Sequence, residues 1–234
     1  MKQDGQVIAA VLAAGVREQI HAWRNRQAAG KPRGGWKVCI NDPQMQKKLG
    51  LERSFVGCLD GSRELASGDR WIVAEGSVLA VEPEFAIRFS AEVPRQPAAE
   101  DIRKAIEGVA PAIEVVDWKD AKPDLMSIAA SSSFHAGYVV GELQPFADVP
   151  AIGGGCPLFL RGEEVLGVPD PALVPADLLD LVAGVVEFLT RHGESIQAGD
   201  WLLCGACTTP ARVAAGDSVE ADFATLGRVR VEFA

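Results

Sequence analysis

Near the start of the chain, apolar residues recur at helical spacing. Val7, Val11, Leu12, Val16 and Ile20 fall on one stripe, with Arg17, Glu18, Arg24 and Arg26 mostly off it, and this predicts a helix over residues 6–27. The glycine-rich stretch 30–35 breaks it, WKVCI (36–40) reads as a short strand, and residues 43–50 read as a short helix entered at Asn41-Asp42-Pro43 and stopped by Gly50. From Asp69 the period shortens to two. RWIVAEGSVLAVEPEFAIRFSAEVP is rich in β-branched and aromatic residues and turns at Glu75-Gly76-Ser77. AAEDIRKAIEGV (98–109) predicts a helix with an acidic first turn, ended by Pro111. AIEVVDW (112–118) then predicts a strand, 119–132 irregular chain, and AGYVVGEL (136–143) a buried strand. A hairpin turning at Arg161-Gly162 is expected in CPLFLRGEEVLGV (156–168), and 175–193 carries the clearest helical face, closed by Gly193. The tail reads as a meander of WLLCGACT, DSVEADF and RVRVEF. Strands and helices do not alternate regularly, so the expected class is mixed, strand-rich α/β and not a doubly wound parallel sheet.

Composition narrows the partners. The 234 residues, 48% hydrophobic, are enough for one large core or a core with a small appendage. The expected division is a helix-and-strand segment, 1–65, packing on a core, 66–234. A net charge of −9 argues against nucleic acid and anionic membrane as partners. No run approaches the ~20 apolar residues of a membrane span, and the start is too acidic for a signal peptide, so a cytoplasmic protein is expected. Five cysteines are odd in number and thinly spread, which speaks against a disulfide framework. Cys204 and Cys207 form a CxxC, but no second pair or histidine cluster completes a zinc site, and they read as structural thiols.

Chemistry enters with VEPEF (81–85). Residues i and i+2 of a strand share a face, so Glu82 and Glu84 are companions, and Pro83 between them suggests an edge or irregular strand. Two carboxylates on one face repel, and burial worsens it. A divalent cation with hard oxygen ligands would remove the penalty; a solvated strand face would avoid it. A third acid, Asp117, ends the apolar strand AIEVVD. These residues alone leave both readings open.

GGWKV (34–38), MQKKLG (45–50), the Gly57–Asp60 stretch GCLD, VEPEFA, AIEVVD, and the tail AGDWLL…GDSVEADFATLGRVRVEF occur in one order. This resembles the fumarylacetoacetate hydrolase superfamily, most closely its 2-oxopent-4-enoate hydratase and 4-oxalocrotonate decarboxylase branch. The resemblance runs from about Gln6 to the C-terminus. It implies a β-roll of mixed sheets flanked by helices, assembled as a homodimer or higher oligomer, and a place in aromatic catabolism. It implies that Glu82, Glu84 and Asp117 hold one Mg2+ or Mn2+, that Lys37 is the active-site lysine, and that Asp60 is a further catalytic acid.

The implied substrate is a small 2-oxo or 2-hydroxydienoate acid. A 2-oxo acid chelates a divalent ion, which stabilises the enolate that forms at carbon 3. A lysine whose pKa is lowered by metal and burial could move protons or bind the carboxylate. Hydration of a 2-hydroxy-2,4-dienoate is the first expectation. Decarboxylation on the same site and a repurposed, non-catalytic member are the alternatives, and no histidine-glutamate pair in the N-terminal segment supports an acylpyruvate hydrolase. Departures bear on the substrate. Where relatives usually carry an aspartate-asparagine pair, this chain has Ser131, Ser132 and Ser133 followed by Phe134 and His135. Serine cannot serve as a carboxylate base, so His135 is the candidate to compensate and Ser132 a candidate substrate contact. Gly205-Ala206 stands for a glycine-serine turn, leaving Thr208 and Thr209 as the hydroxyls, with Thr208 the second candidate substrate contact, and Cys39 stands where glycine is common. His21 and His192 receive no role.

Overall fold

A computed structural model describes residues 5–146, 158–167 and 170–234. Helix α1 (Gly5–Ala28) leads into β1 (Arg33–Cys39), α2 (Pro43–Leu49) and β2 (Phe55–Asp60). After β3 (Glu64–Ala66) and β4 (Arg70–Trp71) come the long strands β5 (Leu79–Phe89) and β6 (Ile106–Asp117), separated by α3 (Ala99–Ala105). Then follow α4 (Leu125–Ala130), β7 (His135–Val140), β8 (Gln144–Pro145), β9 (Leu158–Arg161), β10 (Glu164–Gly167) and α5 (Leu178–Arg191). The tail contributes β11 (Trp201–Ala206), β12 (Ala211–Arg212), β13 (Ser218–Asp222) and β14 (Arg228–Phe233).

Among the described residues the strands make two mixed sheets. The larger runs β2-β1-β11-β5-β6-β7-β3, with β12 beside β5 and β8 beside β6; the smaller runs β10-β9-β13-β14-β4. The pairs β1–β11, β3–β7 and β4–β14 are parallel and the others antiparallel. Phe85 of the large sheet meets Phe223, just after β13, edge to face at 5.0 Å, inside the core that the two sheets share. Strands β1 and β2 of the N-terminal segment are integral to the large sheet.

Several expectations shift. On α1 the buried residues are Gly15, Val16, Gln19, Ile20 and Trp23, while Val7 is half exposed, so the packed face begins later than the apolar stripe. The helix predicted over 98–109 stops at Ala105, because Ile106 to Val109 join β6 between its neighbours. Pro111 ends no helix; it lies within β6, where the adjacent strand changes from β8 to β7 and a missing N–H costs no ladder bond. The chain expected to be irregular over 119–132 contains α4, capped by Asp124, whose carboxylate accepts from the Ser127 N–H at 2.9 Å. The tail is not one meander: β11 inserts between β1 and β5, and only β13 and β14 form the terminal hairpin. The hairpin at Gly162 is present over 158–167, while Cys156, Pro157 and Val168 lie outside the described residues.

Candidate metal centre and substrate cleft

Strand β5 is central, with β6 on one side and β11 and β12 on the other, so VEPEF is no edge. Pro83 is tolerated because it sits where the neighbour changes from β11 to β12; its carbonyl accepts from the Cys207 N–H at 2.9 Å. Glu82 and Glu84 therefore flank a local gap in the ladder. Directly across from Glu82 in β6 stands Glu114. One oxygen from each of Glu82, Glu84 and Glu114 lies within 4.8 Å of the others. Glu84 and Glu114 are fully buried and Glu82 is partly so.

Lys37 reaches the cluster from β1, and its Nζ donates to Oε1 of Glu114. Gly57, opposite Lys37 in β2, makes room for it: a Cβ there would lie 2.7 Å from Cys39 Sγ and 3.1 Å from Lys37 Cγ. At the head of β1, Arg33 donates to Asp200 at 2.7 Å and the Trp36 indole donates to the same carboxylate at 3.1 Å. That buried anchor pins β1 against β11 and sets where Lys37 emerges. His135, at the start of β7, shares Oε1 of Glu114 through Nδ1 at 2.8 Å. Oε2 of Glu114, though buried, has no hydrogen-bond partner, and neither does Nε2 of His135. Glu84 Oε2 accepts from the Gly205 N–H at 2.8 Å. Gly205 has φ +100°, and a Cβ there would meet the Asn41 side chain at 2.8 Å.

The electrostatics follow from burial and neighbours. Burial, and then the charge of Glu114, push the Glu82 carboxyl up to about 7, with Lys37 opposing. The same two causes raise Glu84 well above the ordinary carboxylate range. For Glu114 burial works in the same direction, but Lys37 and His135 outweigh it and hold the carboxyl low. Burial alone would lower Lys37, as the sequence suggested; the surrounding anions, Glu114 first, reverse this and hold the ammonium above its usual range. The result is one tight Lys37–Glu114 ion pair beside two carboxyls that resist ionisation.

Asp117 is not in the cluster. It lies three residues from Glu114, so strand alternation turns it to the other face, and it pairs with Leu79, not Glu82. Its Oδ1 accepts from the N–H groups of Val78 and Lys119, each at 2.9 Å, and these outweigh burial to hold the carboxyl below its ordinary range. Asp60 is also elsewhere. It pairs in register with Arg33, four residues or roughly 13 Å along the strand from Lys37, and engages Arg26 and the Ser62 N–H. Ser132 is buried behind the cluster, donating to Gln19 Oε1 at 2.7 Å and accepting from the Cys58 N–H at 3.0 Å. Asp60, Asp117 and Ser132 line a separate cavity of about 340 Å³ together with His135. Glu114 and Gln19, which the sequence reading passed over, are explained by β5–β6 register and by helix packing; the first was legible as the carboxylate within AIEVVD.

Glu82 and Glu84 of the cluster, with Lys37, form the floor of a cleft of about 310 Å³ that Thr208 and Thr209 also line; Glu114 lies beneath it. Its walls come from the β1–α2 turn, from Val116 and Trp118, and from Ser133 and Phe134. Ile40, Ser133 and Phe134 on these walls have φ of 56°, 58° and 64°, a region that non-glycine residues rarely adopt and a β-branched residue hardly ever.

Comparison with known proteins decides the family. Residues 65–234 match the fumarylacetoacetate hydrolase C-terminal family. The chain belongs to the fumarylacetoacetate hydrolase family. It is 29% identical over 212 residues to a 4-oxalocrotonate decarboxylase of a Pseudomonas species, covering 87% of this chain and 79% of that protein. It is 26% identical over 216 residues to 2-keto-4-pentenoate hydratase 1 of Dechloromonas aromatica, covering 88% and 80%. Among solved structures, 4-oxalocrotonate decarboxylase of Pseudomonas putida G7, complexed with magnesium and adipate, superposes with a TM-score of 0.83 at 23% identity, covering 92% of this chain and 83% of that one. The mixed-sheet fold expected for the family is therefore the fold of this chain.

Proposed function

We propose that this chain is a metal-dependent lyase, a hydratase acting on a small 2-oxo or 2-hydroxydienoate acid, with Glu82, Glu84 and Glu114 as the metal ligands. The observation that carries the reading is the buried carboxylate trio beneath a cleft, with one oxygen of Glu114 left unpartnered. The donor set fits a hard divalent ion. Ligand oxygens at about 2.0–2.6 Å from a common ion lie no more than roughly 4–5 Å apart, which is the spacing of this trio. Mg2+ or Mn2+ suits three carboxylates better than zinc. When bound, such an ion supplies Lewis-acid stabilisation of an enolate on a chelating 2-oxo acid.

The chain's own residues have separate tasks in this reading. Lys37 and His135 both hold Oε1 of Glu114, which fixes the carboxylate and leaves Oε2 as the oxygen free for an ion. Lys37 also lines the cleft and, held as an ammonium, is the cation available to a substrate carboxylate. Thr208 and Thr209 bring hydroxyls to the same wall. His135 is thus a positioning residue for the trio, and the surrounding apolar walls limit the water that reaches the reacting carbons.

The test is solvent-deuterium exchange at carbon 3 of 2-oxo acids, followed by NMR with Mg2+, Mn2+ or EDTA. Exchange should require metal, disappear in Glu82→Gln and Glu114→Gln, and persist in Asp117→Asn. Exchange lost in Asp117→Asn but kept in Glu114→Gln would overturn the ligand set; metal binding without exchange of any acid would favour a non-catalytic protein.

A further inference from the structure

The two named activities among relatives make different demands on the far end of the cleft. A decarboxylase substrate carries a second carboxylate, the one it loses, whereas a hydratase substrate of the same length need not. Burying a second carboxylate without a cation or several donors carries a large penalty. Among the described residues Lys37 is the only lysine, arginine or histidine lining the cleft, and it is already paired with Glu114 on the floor. Outside the described residues, 147–157 and 168–169 contain none of the three and 1–4 contain Lys2.

Beyond the floor the walls are apolar: Ile40, Met45, Leu49, Trp118, Phe134 and Leu173. The polar groups there are the uncharged hydroxyls of Ser133, Thr208 and Thr209, one amide already engaged and one acid of the wrong sign, so none brings a positive charge. Both hydrogens of the Asn41 amide are donated, to Leu173 O at 2.9 Å and Ala206 O at 2.8 Å. Asp42 brings a negative charge to the rim, where its carboxylate caps α2 through the Gln44 N–H at 2.8 Å. Arg212 stacks on Trp118 at 4.3 Å but is exposed and does not line the cleft. At about 310 Å³ the cleft has the volume of roughly ten waters, more than the six non-hydrogen atoms of pyruvate occupy.

Resting on the metal-centre reading above, we infer that the cleft selects 2-oxo acids with a single carboxylate and an uncharged apolar tail, of four or more carbons or an aryl ring, and rejects diacids. The carboxylate and 2-oxo group sit at the floor beside Lys37; the tail fills the space between Phe134, Leu173 and the Met45–Leu49 face of α2.

The experiment uses the intact chain loaded with Mn2+ and reads the displacement of metal-bound water by proton relaxation. The ligands are pyruvate, 2-oxobutanoate, 2-oxopentanoate, 2-oxohexanoate and phenylpyruvate, against 2-oxoglutarate and 2-oxoadipate. Affinity should rise about fourfold per added methylene among the monoacids, and 2-oxoadipate should bind at least about tenfold more weakly than 2-oxohexanoate, the cost of an unpaired carboxylate. Met45→Arg, at a wall position 37% exposed, should recover binding of 2-oxoadipate and weaken that of 2-oxohexanoate, reversing their order of affinity. Diacids binding as well as monoacids of equal length, with metal dependence intact, would overturn the specificity inference and leave the metal centre standing. Metal-dependent binding of none of the acids would overturn the metal-centre reading and this inference with it.

Discussion

Replacing Lys37 with methionine removes one positive charge from the most buried ionic group in the described structure, while nearly preserving shape. Lys37 is 2% exposed and Glu114 is fully buried. Removing one partner of such a pair leaves an uncompensated buried charge, which costs about 3–5 kcal/mol. For a chain of this size each kcal/mol moves the melting temperature by roughly 2–4 °C, so Lys37→Met in EDTA should melt roughly 6–20 °C below the wild type. The pH can be chosen from the direction of the shifts. Lys37 is raised above its ordinary value near 10.5, so its contribution is fully present below that value and is lost only as pH rises through the higher folded value. Glu114 is lowered, so its contribution is present above its unfolded value and is lost as pH falls through the folded one. The full deficit is therefore expected at pH 8 and should shrink in acid. A divalent ion supplies the missing charge, so saturating Mg2+ or Mn2+ should raise the melting temperature of the variant by more than it raises that of the wild type; an ion at a hundred times its Kd contributes about 2.7 kcal/mol. Differential scanning calorimetry with EDTA or metal reads both effects. A variant as stable as the wild type in EDTA at pH 8, or a metal-induced gain no larger than the wild type's, would refute the view that Lys37 neutralises this cluster.

Glu82 gives the opposite pH dependence. Its carboxyl is raised to about 7, so the folded chain holds a proton there that the unfolded chain releases, and metal-free stability should fall between pH ~4.5 and ~7 by at most about 3 kcal/mol, less what solvent screens at its partly exposed side. Melting curves across that range should show the fall in EDTA and not under saturating metal. Replacing His135 with alanine frees Oε1 of Glu114 on one side, and metal affinity measured by titration calorimetry should drop about 10–100-fold, as for the loss of a group that orients a ligand; Asp60→Asn should leave that affinity unchanged. Ser132→Ala strands the Cys58 N–H and Gln19 Oε1, so it should destabilise by about 1–3 kcal/mol while leaving KM for the acid unaltered.

What the sequence made legible was whatever local pattern determines. The shared face of Glu82 and Glu84, the apolar face of α5 and the Val229, Val231 and Phe233 face of β14 all follow from periods of two or 3.6, and the α5 and β14 faces are buried as expected. Lys37 was legible only through the resemblance. What stayed hidden depends on register. Its place at the end of AIEVVD and the resemblance point to Asp117 as the third acid and pass over Glu114, yet the β5–β6 pairing, which no local pattern specifies, puts Glu114 across from Glu82. The same holds for Ser132: standing where relatives usually carry an aspartate-asparagine pair, it reads from the sequence as a substrate contact, while helix α1, distant in sequence, claims it through Gln19. Pro111 misled for a related reason, because a proline is tolerated within a strand where its neighbour changes, and that change is visible only in the assembled sheet.

The local exceptions gather around one site, and that grouping is itself an argument. Pro83 interrupts a central strand, Ile40, Ser133 and Phe134 hold left-handed backbone on the cleft wall, Ser132 does so just behind it, and two carboxyls are kept where ionisation is unfavourable. Each strained residue costs on the order of 1–3 kcal/mol and persists only where its surroundings over-determine it. They are over-determined here: the Ile40 carbonyl accepts from the Gln46 side chain at 2.9 Å and from Ser54 Oγ at 3.2 Å, and the Ser133 N–H donates to Ile128 O at 2.8 Å. Ala224, in the turn before β14, is the exception away from the cleft. A solvated strand face would need none of this apparatus, since Glu82 and Glu84 would then point into water. The chain instead turns them inward, sets Glu114 opposite, fixes one of its oxygens with Lys37 and His135, and leaves the other oxygen without a donor. In the proposed reading a cation would satisfy that free oxygen and lower the cost of ionising the other two carboxyls, and on that ground the Glu82-Pro83-Glu84 strand is better explained as a metal cage than as a surface.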